Sequence, residues 1–357
     1  MLIARKSNRL LFATLALSAG CGTQHAMTDG DATTEPSPHH QATEAQQALQ
    51  GGTSLNTTQT RRAGVVDISI PLTGNGCTTS AQCSPGFGCA SGQCVATGGC
   101  TGTILSTSAF DRRSWVLTAG HCFCGASGPP SIFRPGPSGT RTMLANGGTV
   151  FIHPSYNPCG PIAAYDVAVV RFDTPVLSAT SVSDVREFRR PIWATPPAPG
   201  AFAAMGTGNN NEVMPGNLLC QESASPTSDG SLRWASASFA GAINWNLGTT
   251  SPFSPSPSFL NGGDSGGPWM SVVGGVTQEG LLENGAIMAA SSFSSCVLGA
   301  YSFEASGTFA PSTLAFLRST VGSDLRETTG GWTRSCFIDW CEYSPIQQAS
   351  LIATLSF

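Results

Sequence analysis

The stretch Gly262-Gly263-Asp264-Ser265-Gly266-Gly267-Pro268-Trp269 decides how the rest of this chain is interpreted. A serine between an acid and two glycines is typical of a tight turn that presents a hydroxyl, because glycine tolerates backbone conformations that other residues avoid. A serine hydroxyl is a weak nucleophile at neutral pH, so a nucleophilic role also requires a base and a group that orients the base. The stretch therefore predicts that the chain contains both.

The candidate base is one of five histidines. Three of these lie in a polar N-terminal stretch that we expect to be unfolded: His25, His39 and His40. His153 precedes a proline turn, where a histidine is more often a surface residue than a catalyst. His121 follows the apolar run of residues 114–120, which is typical of a buried strand that closes in a turn of small residues. His121 is therefore the predicted base.

The candidate orienting acid is Asp166, which opens the apolar strand of residues 167–172. A carboxylate at this position would be costly to bury without a donor, and a histidine Nδ1–H would supply one. Asp173, at the other end of the strand, has the surroundings of an ordinary turn residue. Asp166 is therefore the predicted partner of His121.

The order of these residues separates two mechanisms. The serine stretch also fits Gly-x-Ser-x-Gly, the nucleophile turn of α/β-hydrolases, but that fold places its acid and histidine after the serine. No histidine follows Ser265, so this alternative is excluded. The order His121, Asp166, Ser265 remains.

Three segments in this order resemble the catalytic signatures of the trypsin/chymotrypsin family of serine endopeptidases. They are residues 118–122 (Thr-Ala-Gly-His-Cys), 165–170 (Tyr-Asp-Val-Ala-Val-Val) and 263–268 (Gly-Asp-Ser-Gly-Gly-Pro). The resemblance extends over residues 49–322, with weaker support from 153–156 and 206–208. It implies an all-β fold of two six-stranded antiparallel β-barrels with a C-terminal helix, and the many glycines, prolines and short apolar runs agree.

The resemblance also implies a mechanism. Ser265 would attack the scissile carbonyl of a protein or peptide substrate, His121 would accept its proton, and Asp166 would orient the imidazole. The backbone N–H groups of Gly263 and Ser265 would form the oxyanion hole. No metal or organic cofactor is expected, because the sequence has neither a histidine pair at zinc spacing nor a phosphate-binding glycine loop.

Two further expectations concern specificity and activation. Phe259 lies six residues before the serine, where trypsin-like members of basic specificity carry an aspartate. A buried substrate cation would be unpaired there, so we expect small or apolar side chains to be preferred, in a pocket walled by residues 291–296. In the family, a newly cut N-terminus pairs with the aspartate before the nucleophile. That aspartate is Asp264, and its expected partner is the α-amino group of Leu49 after cleavage by an activating protease.

The N-terminal residues have the pattern of an export signal. Basic residues precede an apolar run that is too short to span a membrane as a mature helix: Arg5, Lys6 and Arg9 before residues 10–17. The run ends in a segment that resembles a bacterial lipoprotein signal with Cys21 as the acylated residue, and ordinary secretion is the alternative. We expect residues 1–21 to be the signal, residues 22–48 a propeptide or linker, and the protein to be secreted, periplasmic or at the outer surface.

The chain has thirteen cysteines, and twelve remain to pair in an oxidising compartment if Cys21 is acylated. The resemblance implies a Cys100–Cys122 disulfide. The sequence leaves the pairing of the last six cysteines open, with Cys124–Cys159 as one candidate. An insert at residues 77–94 contains four cysteines without histidine or a C-x-x-C motif, which favours disulfides over zinc: Cys77, Cys83, Cys89 and Cys94. The insert is predicted to be a small surface loop, either merely rigid or a docking site. Residues 323–357 are expected to form a C-terminal extension.

The net charge of −4 at pH 7 is too small to argue for binding to nucleic acid or anionic membranes. Membrane attachment is expected only through an N-terminal lipid anchor. Two alternatives to a peptidase remain from the sequence. One is a catalytically inactive trypsin-like surface lipoprotein that binds a partner, and the other is an esterase with the same three residues.

Overall fold

Short apolar runs separated by glycine- and proline-rich turns fold into antiparallel sheets, as the sequence pattern predicts. The computed structural model describes residues 52–83, 88–108, 111–160, 165–176, 187–195, 200–208, 230–239, 241–243, 246–250, 263–271, 285–297, 300–329, 332–337 and 340–345. In chain order the strands are β1 (Thr53–Ser54), β2 (Val65–Gly76), β3 (Gly88–Ala90), β4 (Gln93–Ser108), β5 (Arg113–Thr118), β6 (Ser131–Pro135), β7 (Arg141–Ala145), β8 (Thr149–Ile152), β9 (Ala168–Phe172), β10 (Glu187–Arg189), β11 (Ile192–Trp193), β12 (Gly200–Gly206), β13 (Arg233–Phe239), β14 (Gly241–Ile243), β15 (Asn246–Thr250), β16 (Pro268–Ser271), β17 (Ala286–Val297), β18 (Ala300–Gly307), β19 (Glu327–Thr328), β20 (Trp332–Phe337) and β21 (Trp340–Pro345). The α-helices are α1 (Thr57–Ala63) and α2 (Pro311–Val321).

The first sheet has the order β7-β6-β2-β4-β5-β9-β8, with β3 and β10 also paired to β4. Strands β5 and β9 are antiparallel neighbours, and Thr118 lies opposite Ala168. Because β5 ends where β9 begins, the turn after β5 and the residues before β9 meet at one edge of the sheet. This arrangement brings His121 next to Asp166.

The second sheet has the order β1-β13-β12-β16-β17-β18-β15-β14, and β11 and β19 add parallel pairings at its side. The serine turn immediately precedes β16, which pairs with both β12 and β17. Ser265 therefore lies at the beginning of an interior strand of this sheet and not beside an outer strand.

The fold is mostly β-strand, as predicted, but it has more strands than the two six-stranded barrels that were expected. In the described part of the chain the sheets contain nine and ten strands, and no pairing there closes either sheet into a barrel. Part of the difference arises from short added strands. The insert supplies β3, the N-terminal segment supplies β1, and β11 and β19 pair with each other in parallel. A separate hairpin of β20 and β21 places Cys336 opposite Cys341 in the backbone register.

Helix α2 packs across the two sheets. Leu314, Leu317 and Val321 are spaced to share one helix face, and all three are buried. They join a hydrophobic cluster that includes Leu117 of the first sheet and Ile287 of the second. Full burial of an aliphatic side chain contributes roughly 1.5–3 kcal/mol, so this face holds the helix firmly against both sheets.

The insert is held by two disulfides, Cys77–Cys89 and Cys83–Cys94. It extends from the end of the long β2–β4 ladder, where Gly76 pairs with Gln93. Within the described ranges no helix is long and apolar enough to cross a membrane. The predicted signal and propeptide, residues 1–48, lie outside the described residues.

Candidate active site

His121 and Asp166 are joined by two short polar contacts. His121 begins a short 3₁₀ turn after β5, and its Nδ1 lies 2.6 Å from Asp166 Oδ2. The backbone N–H of His121 donates to the other carboxylate oxygen, Oδ1, at 2.8 Å. Asp166 is fully buried, whereas the His121 side chain is 21% exposed. Two contacts therefore fix the imidazole and leave Nε2 as the nitrogen available for proton transfer.

Ser292 is a further partner of the carboxylate that the sequence analysis missed. Its hydroxyl, on β17 of the second sheet, donates to Asp166 Oδ2 at 2.5 Å. Both side chains are buried. From the sequence, residues 291–296 are expected only to form a wall of the specificity pocket, and a serine within a run of serines carries no local signal for this contact. Asp166 is thus held by donors from both sheets.

The turn before His121 has no room for side-chain atoms. A Cβ at Gly120 would lie 2.7 Å from the Tyr156 ring and 3.2 Å from Asp166 Oδ1. Burial, reinforced by the charge of the Asp166 carboxylate, raises the pKa of Tyr156 above its usual range, so the phenol stays neutral. Tyr156 therefore acts as a neutral wall that confines the carboxylate.

The turn that carries Ser265 is clamped between the sheets by backbone hydrogen bonds. Ser265 O accepts from Thr101 N on β4 at 2.8 Å, and Gly266 N donates to Ser291 O on β17 at 2.7 Å. Gly266 has a φ of +80°, which only glycine adopts without strain. This turn geometry is the one that the sequence predicted.

The serine turn also touches the strand that leads to His121. A Cβ at Gly266 would lie 2.0 Å from Thr118 Oγ1, 2.4 Å from Thr101 O and 2.7 Å from Ala119 N. Such distances are impossible for a real side chain, so the backbone at Gly266 approaches these atoms as closely as glycine allows. The segments around His121 and Ser265 are therefore packed against each other.

The structure brings the segments of His121, Asp166 and Ser265 together, but it does not join His121 to Ser265 by a hydrogen bond. His121 and Ser265 both belong to the described residues, and among these no hydrogen bond links His121 Nε2 to Ser265 Oγ. The His121–Asp166 half of the predicted triad is formed, and the serine turn lies on the same strands.

Two backbone N–H groups of the serine turn have no acceptor in the part of the chain that the structure describes. Within the described residues, neither Gly263 N–H nor Ser265 N–H donates a hydrogen bond. Gly263 and Ser265 are both half-buried, so these N–H groups can serve an acceptor from outside the described residues, such as a substrate carbonyl oxygen. Gly263 has a φ of +88°, and its carbonyl oxygen accepts from Thr101 Oγ1 at 2.8 Å. These N–H groups belong to the residues predicted to form the oxyanion hole.

Asp264 is buried beneath the turn of residues 206–208. Gly208 N–H donates to Asp264 Oδ1 at 2.6 Å. A Cβ at Gly206 would lie 2.0 Å from the same oxygen, so both glycines are needed for the backbone to enclose the carboxylate. Leu49, the expected partner of Asp264, lies outside the described residues, as do Phe259 and Cys21.

The disulfides near the site constrain the histidine turn. Cys100 is bonded to Cys122, and Cys124 is bonded to Cys159. In the described part of the chain, two groups of potential metal ligands have suitable proximity, and both contain disulfide-bonded cysteines: Cys77, Cys83 and Cys94, and Cys100, His121 and Cys122. A disulfide sulfur is not a thiolate, and only the thiolate ligates metals well.

The prediction that His153 is a surface residue is wrong. His153 is 1% exposed, and its ring stacks on Tyr165 at a centroid distance of 4.8 Å. Its Nε2 lies 3.0 Å from Ser312 Oγ on α2, and Phe316 of the same helix packs edge-on against the ring. Burial lowers the pKa of His153. The proline turn is covered by a helix that follows in the chain more than one hundred residues later.

Two antiparallel sheets, a buried carboxylate bonded to an imidazole and a serine on a glycine turn beside them define a serine-hydrolase type of site. A comparison with protein families matches the trypsin family to residues 78–290, more than half of the chain. The chain belongs to the trypsin family, whose members are serine endopeptidases. A comparison with curated proteins finds none that matches.

Proposed function

We propose that this protein is an exported serine endopeptidase that cleaves peptide bonds through an acyl-enzyme, with His121, Asp166 and Ser265 as its catalytic residues. The observation that carries the proposal is the His121–Asp166 contact at 2.6 Å beside the serine turn. The trypsin family supplies the substrate class, which is protein or peptide.

In the proposed mechanism Ser265 Oγ attacks the scissile carbonyl carbon, and its proton passes to His121 Nε2. The carbonyl oxygen becomes an oxyanion that accepts from Gly263 N–H and Ser265 N–H. The carbon–nitrogen bond then breaks as His121 returns the proton to the leaving amine. Water, deprotonated by His121, releases the acid and regenerates the Ser265 hydroxyl. Asp166 stabilises the imidazolium in both steps.

The remaining link is the one between His121 and Ser265. Catalytic hydrogen bonds commonly tighten only in the complex with substrate. We propose that a bound peptide completes the contact from Ser265 Oγ to Nε2. The hydrogen bonds of Ser265 O with Thr101 N and of Gly266 N with Ser291 O support this step, because they leave the side chain as the part of Ser265 with rotational freedom.

Activation is proposed to follow cleavage before Leu49, which would make the longer chain a zymogen. Three residues after Leu49, Gly52 O accepts from Arg233 Nη1 at 3.0 Å. Thr53 pairs with Trp234, and Trp234 pairs with Met205 on the strand that leads into the turn over Asp264. Strand β1 thus belongs to the same sheet as β16, the strand that follows Asp264 in the chain, and this shared sheet supports the proposal.

Specificity and location are proposed from the sequence. Phe259 in place of an acid favours small or apolar residues at the cleavage position. The N-terminal pattern favours export, with acylation at Cys21 before the propeptide is removed.

N-terminal sequencing of the active form tests the proposed cleavage before Leu49. A first residue far from Leu49, or full activity with the propeptide still attached, contradicts that cleavage.

A fluorophosphonate probe tests the central proposal, because the probe bonds covalently to an activated serine. The wild-type protein should be labelled at Ser265, and Ser265→Ala should lose labelling and about 10⁶-fold in peptide hydrolysis. Ser127→Ala, which removes a surface hydroxyl, is the control and should behave as wild type. Absence of labelling in correctly folded wild type would favour the inactive binding lipoprotein. Labelling with hydrolysis of short acyl esters but not of peptides would favour the esterase.

A further inference from the structure

Thr101 makes an unusual set of contacts beside the serine turn. Its side chain is completely buried on β4, next to the Cys100–Cys122 disulfide. The hydroxyl donates to Gly263 O at 2.8 Å. It also accepts from Thr207 N–H at 3.1 Å and lies 2.9 Å from Thr207 Oγ1. None of these contacts was apparent from the sequence.

The single hydroxyl proton of Thr101 determines the direction of the whole network. Since that proton is donated to Gly263 O, the Thr207 hydroxyl must donate to Thr101 Oγ1. The Thr101 oxygen then makes one donated and two accepted hydrogen bonds, which is its full capacity. If the Thr101 proton turned towards Thr207 Oγ1 instead, Gly263 O would lose this donor.

The peptide that Thr101 holds lies between the two predicted oxyanion donors. Gly263 O belongs to the peptide group that joins Gly263 to Asp264, with Gly263 N–H on one side of it and Ser265 N–H on the other. At a φ of +88° the glycine backbone has wide conformational freedom, and nothing in its own side chain restricts it. The hydroxyl of Thr101 supplies the missing restraint.

From this geometry we propose that Thr101 is a positioning residue for the oxyanion hole, an inference that rests on the proposed peptidase function. Thr101 acts through the Gly263–Asp264 peptide and touches no reacting atom. The hydrogen bond between Thr101 and Thr207 also links the Gly263–Asp264 peptide to the turn of residues 206–208, which encloses the Asp264 side chain.

The test is Thr101→Val, which keeps the shape of the side chain and removes the hydroxyl. Activity of the full chain, processed as for wild type, is measured with a chromogenic peptide anilide that carries an apolar residue at the cleavage position. An oxyanion donor displaced by about 1 Å costs on the order of 10²-fold, so kcat should fall about 10- to 100-fold. KM should stay within about threefold, because the oxyanion forms only in the transition state. Thr101→Ser restores a hydroxyl and should recover most of kcat.

Thr107→Val is the matched control. Thr107 lies on the same strand and is equally buried, and its hydroxyl contacts Ser114 Oγ at 2.7 Å and Val176 N at 3.2 Å, away from the serine turn. This variant loses a buried threonine hydroxyl without touching Gly263. It should lower the melting temperature as Thr101→Val does and leave kcat near the wild-type value.

The outcomes separate this inference from the proposed function. Wild type that neither hydrolyses peptides nor labels at Ser265 overturns both. If wild type is active, three results overturn the positioning role alone. The first is an unchanged kcat in folded Thr101→Val, and the second is an equal loss of kcat in Thr101→Val and Thr107→Val. The third is a Thr101→Ser variant that is as impaired as Thr101→Val. If Thr101→Val does not fold, Thr207→Val takes its place, with an expected fall in kcat of about 3- to 10-fold. A wild-type kcat in that variant overturns the inference.

Discussion

Replacement of Gly266 by alanine is the change that most directly tests how the serine turn is held. Gly266 follows Ser265 and has a φ of +80°. Its Cα faces the backbone of the first sheet, where an added methyl group would lie 2.4 Å from Thr101 O and 2.7 Å from Ala119 N. Thr101 lies on β4 and Ala119 directly follows β5, so these backbone atoms cannot move aside as the end of a flexible side chain can.

The expected loss has two parts. A positive φ at a non-glycine residue costs about 1–3 kcal/mol of stability. Relief of the overlap requires the serine turn to move away by about 1 Å, and a displacement of that size costs on the order of 10²-fold in rate. The Gly266→Ala protein should therefore be labelled by a fluorophosphonate at least about 100-fold more slowly than wild type, with a free energy of unfolding lowered by several kcal/mol.

The assay compares rate constants of labelling at Ser265 under conditions where urea unfolding shows each variant to be folded. Gly147→Ala is the matched control, because Gly147 has a φ of +74° and a Cβ there would meet nothing within 4 Å. It should show the cost of the backbone strain alone and keep the wild-type labelling rate. If folded Gly266→Ala is labelled as fast as Gly147→Ala, the close packing of the serine turn against β4 and β5 is not needed for reactivity.

Three other predictions concern the surroundings of the site. Ser292→Ala removes one donor to the buried Asp166, so kcat/KM should fall by a factor equivalent to about 1.5–3 kcal/mol while the fold persists, and an unchanged kcat/KM would contradict the role of this contact. Replacement of the Cys100–Cys122 disulfide by two alanines should lower the free energy of unfolding by about 2–4 kcal/mol, measured in urea without reductant. An unchanged free energy of unfolding would show that this disulfide does not stabilise the fold. Burial lowers the pKa of His153 in the folded protein from the ordinary value of 6.5. As the pH falls, this histidine therefore binds its proton in the unfolded chain before it does so in the folded protein. The free energy of unfolding should accordingly decline below about pH 6.5. His153→Gln should flatten that decline, and an equally steep profile in the variant would show that another group is responsible.

The sequence predicted the parts of the site that have local signatures. The serine turn needs its glycines within a few positions, and the apolar strands before His121 and after Asp166 are continuous runs. The structure places these three segments in contact, with Asp166 bonded to His121. Motifs of this kind are predictable because the residues that create the local backbone shape are adjacent in the chain.

Contacts between distant segments were not predictable in the same way. Ser292 meets Asp166 across 126 positions, and Thr101 meets Gly263 across 162 positions. A serine or threonine on a strand has many possible partners, and no periodicity identifies the one that it meets. His153 was misassigned for the same reason, because the helix that buries it comes late in the chain and covers a proline turn that is exposed in most proteins.

The fold class was easier to predict than the strand count. Alternating short apolar runs and turn residues indicate antiparallel sheets. Short edge strands depend on which backbone segment happens to lie alongside an existing strand. The pairing of Thr53 with Trp234 is an example, because it depends on tertiary position rather than on sequence pattern.

The site depends on the junction between the sheets more than on either sheet alone. Asp166 accepts from His121 in the first sheet and from Ser292 in the second, and the serine turn is bonded to Thr101 in the first and to Ser291 in the second. A shift of one sheet against the other would weaken the orientation of the imidazole and the position of the nucleophile together. Helix α2 opposes such a shift, because one apolar face of it packs on strands of both sheets. We therefore expect substitutions that shrink the buried face of α2 to lower reactivity as well as stability.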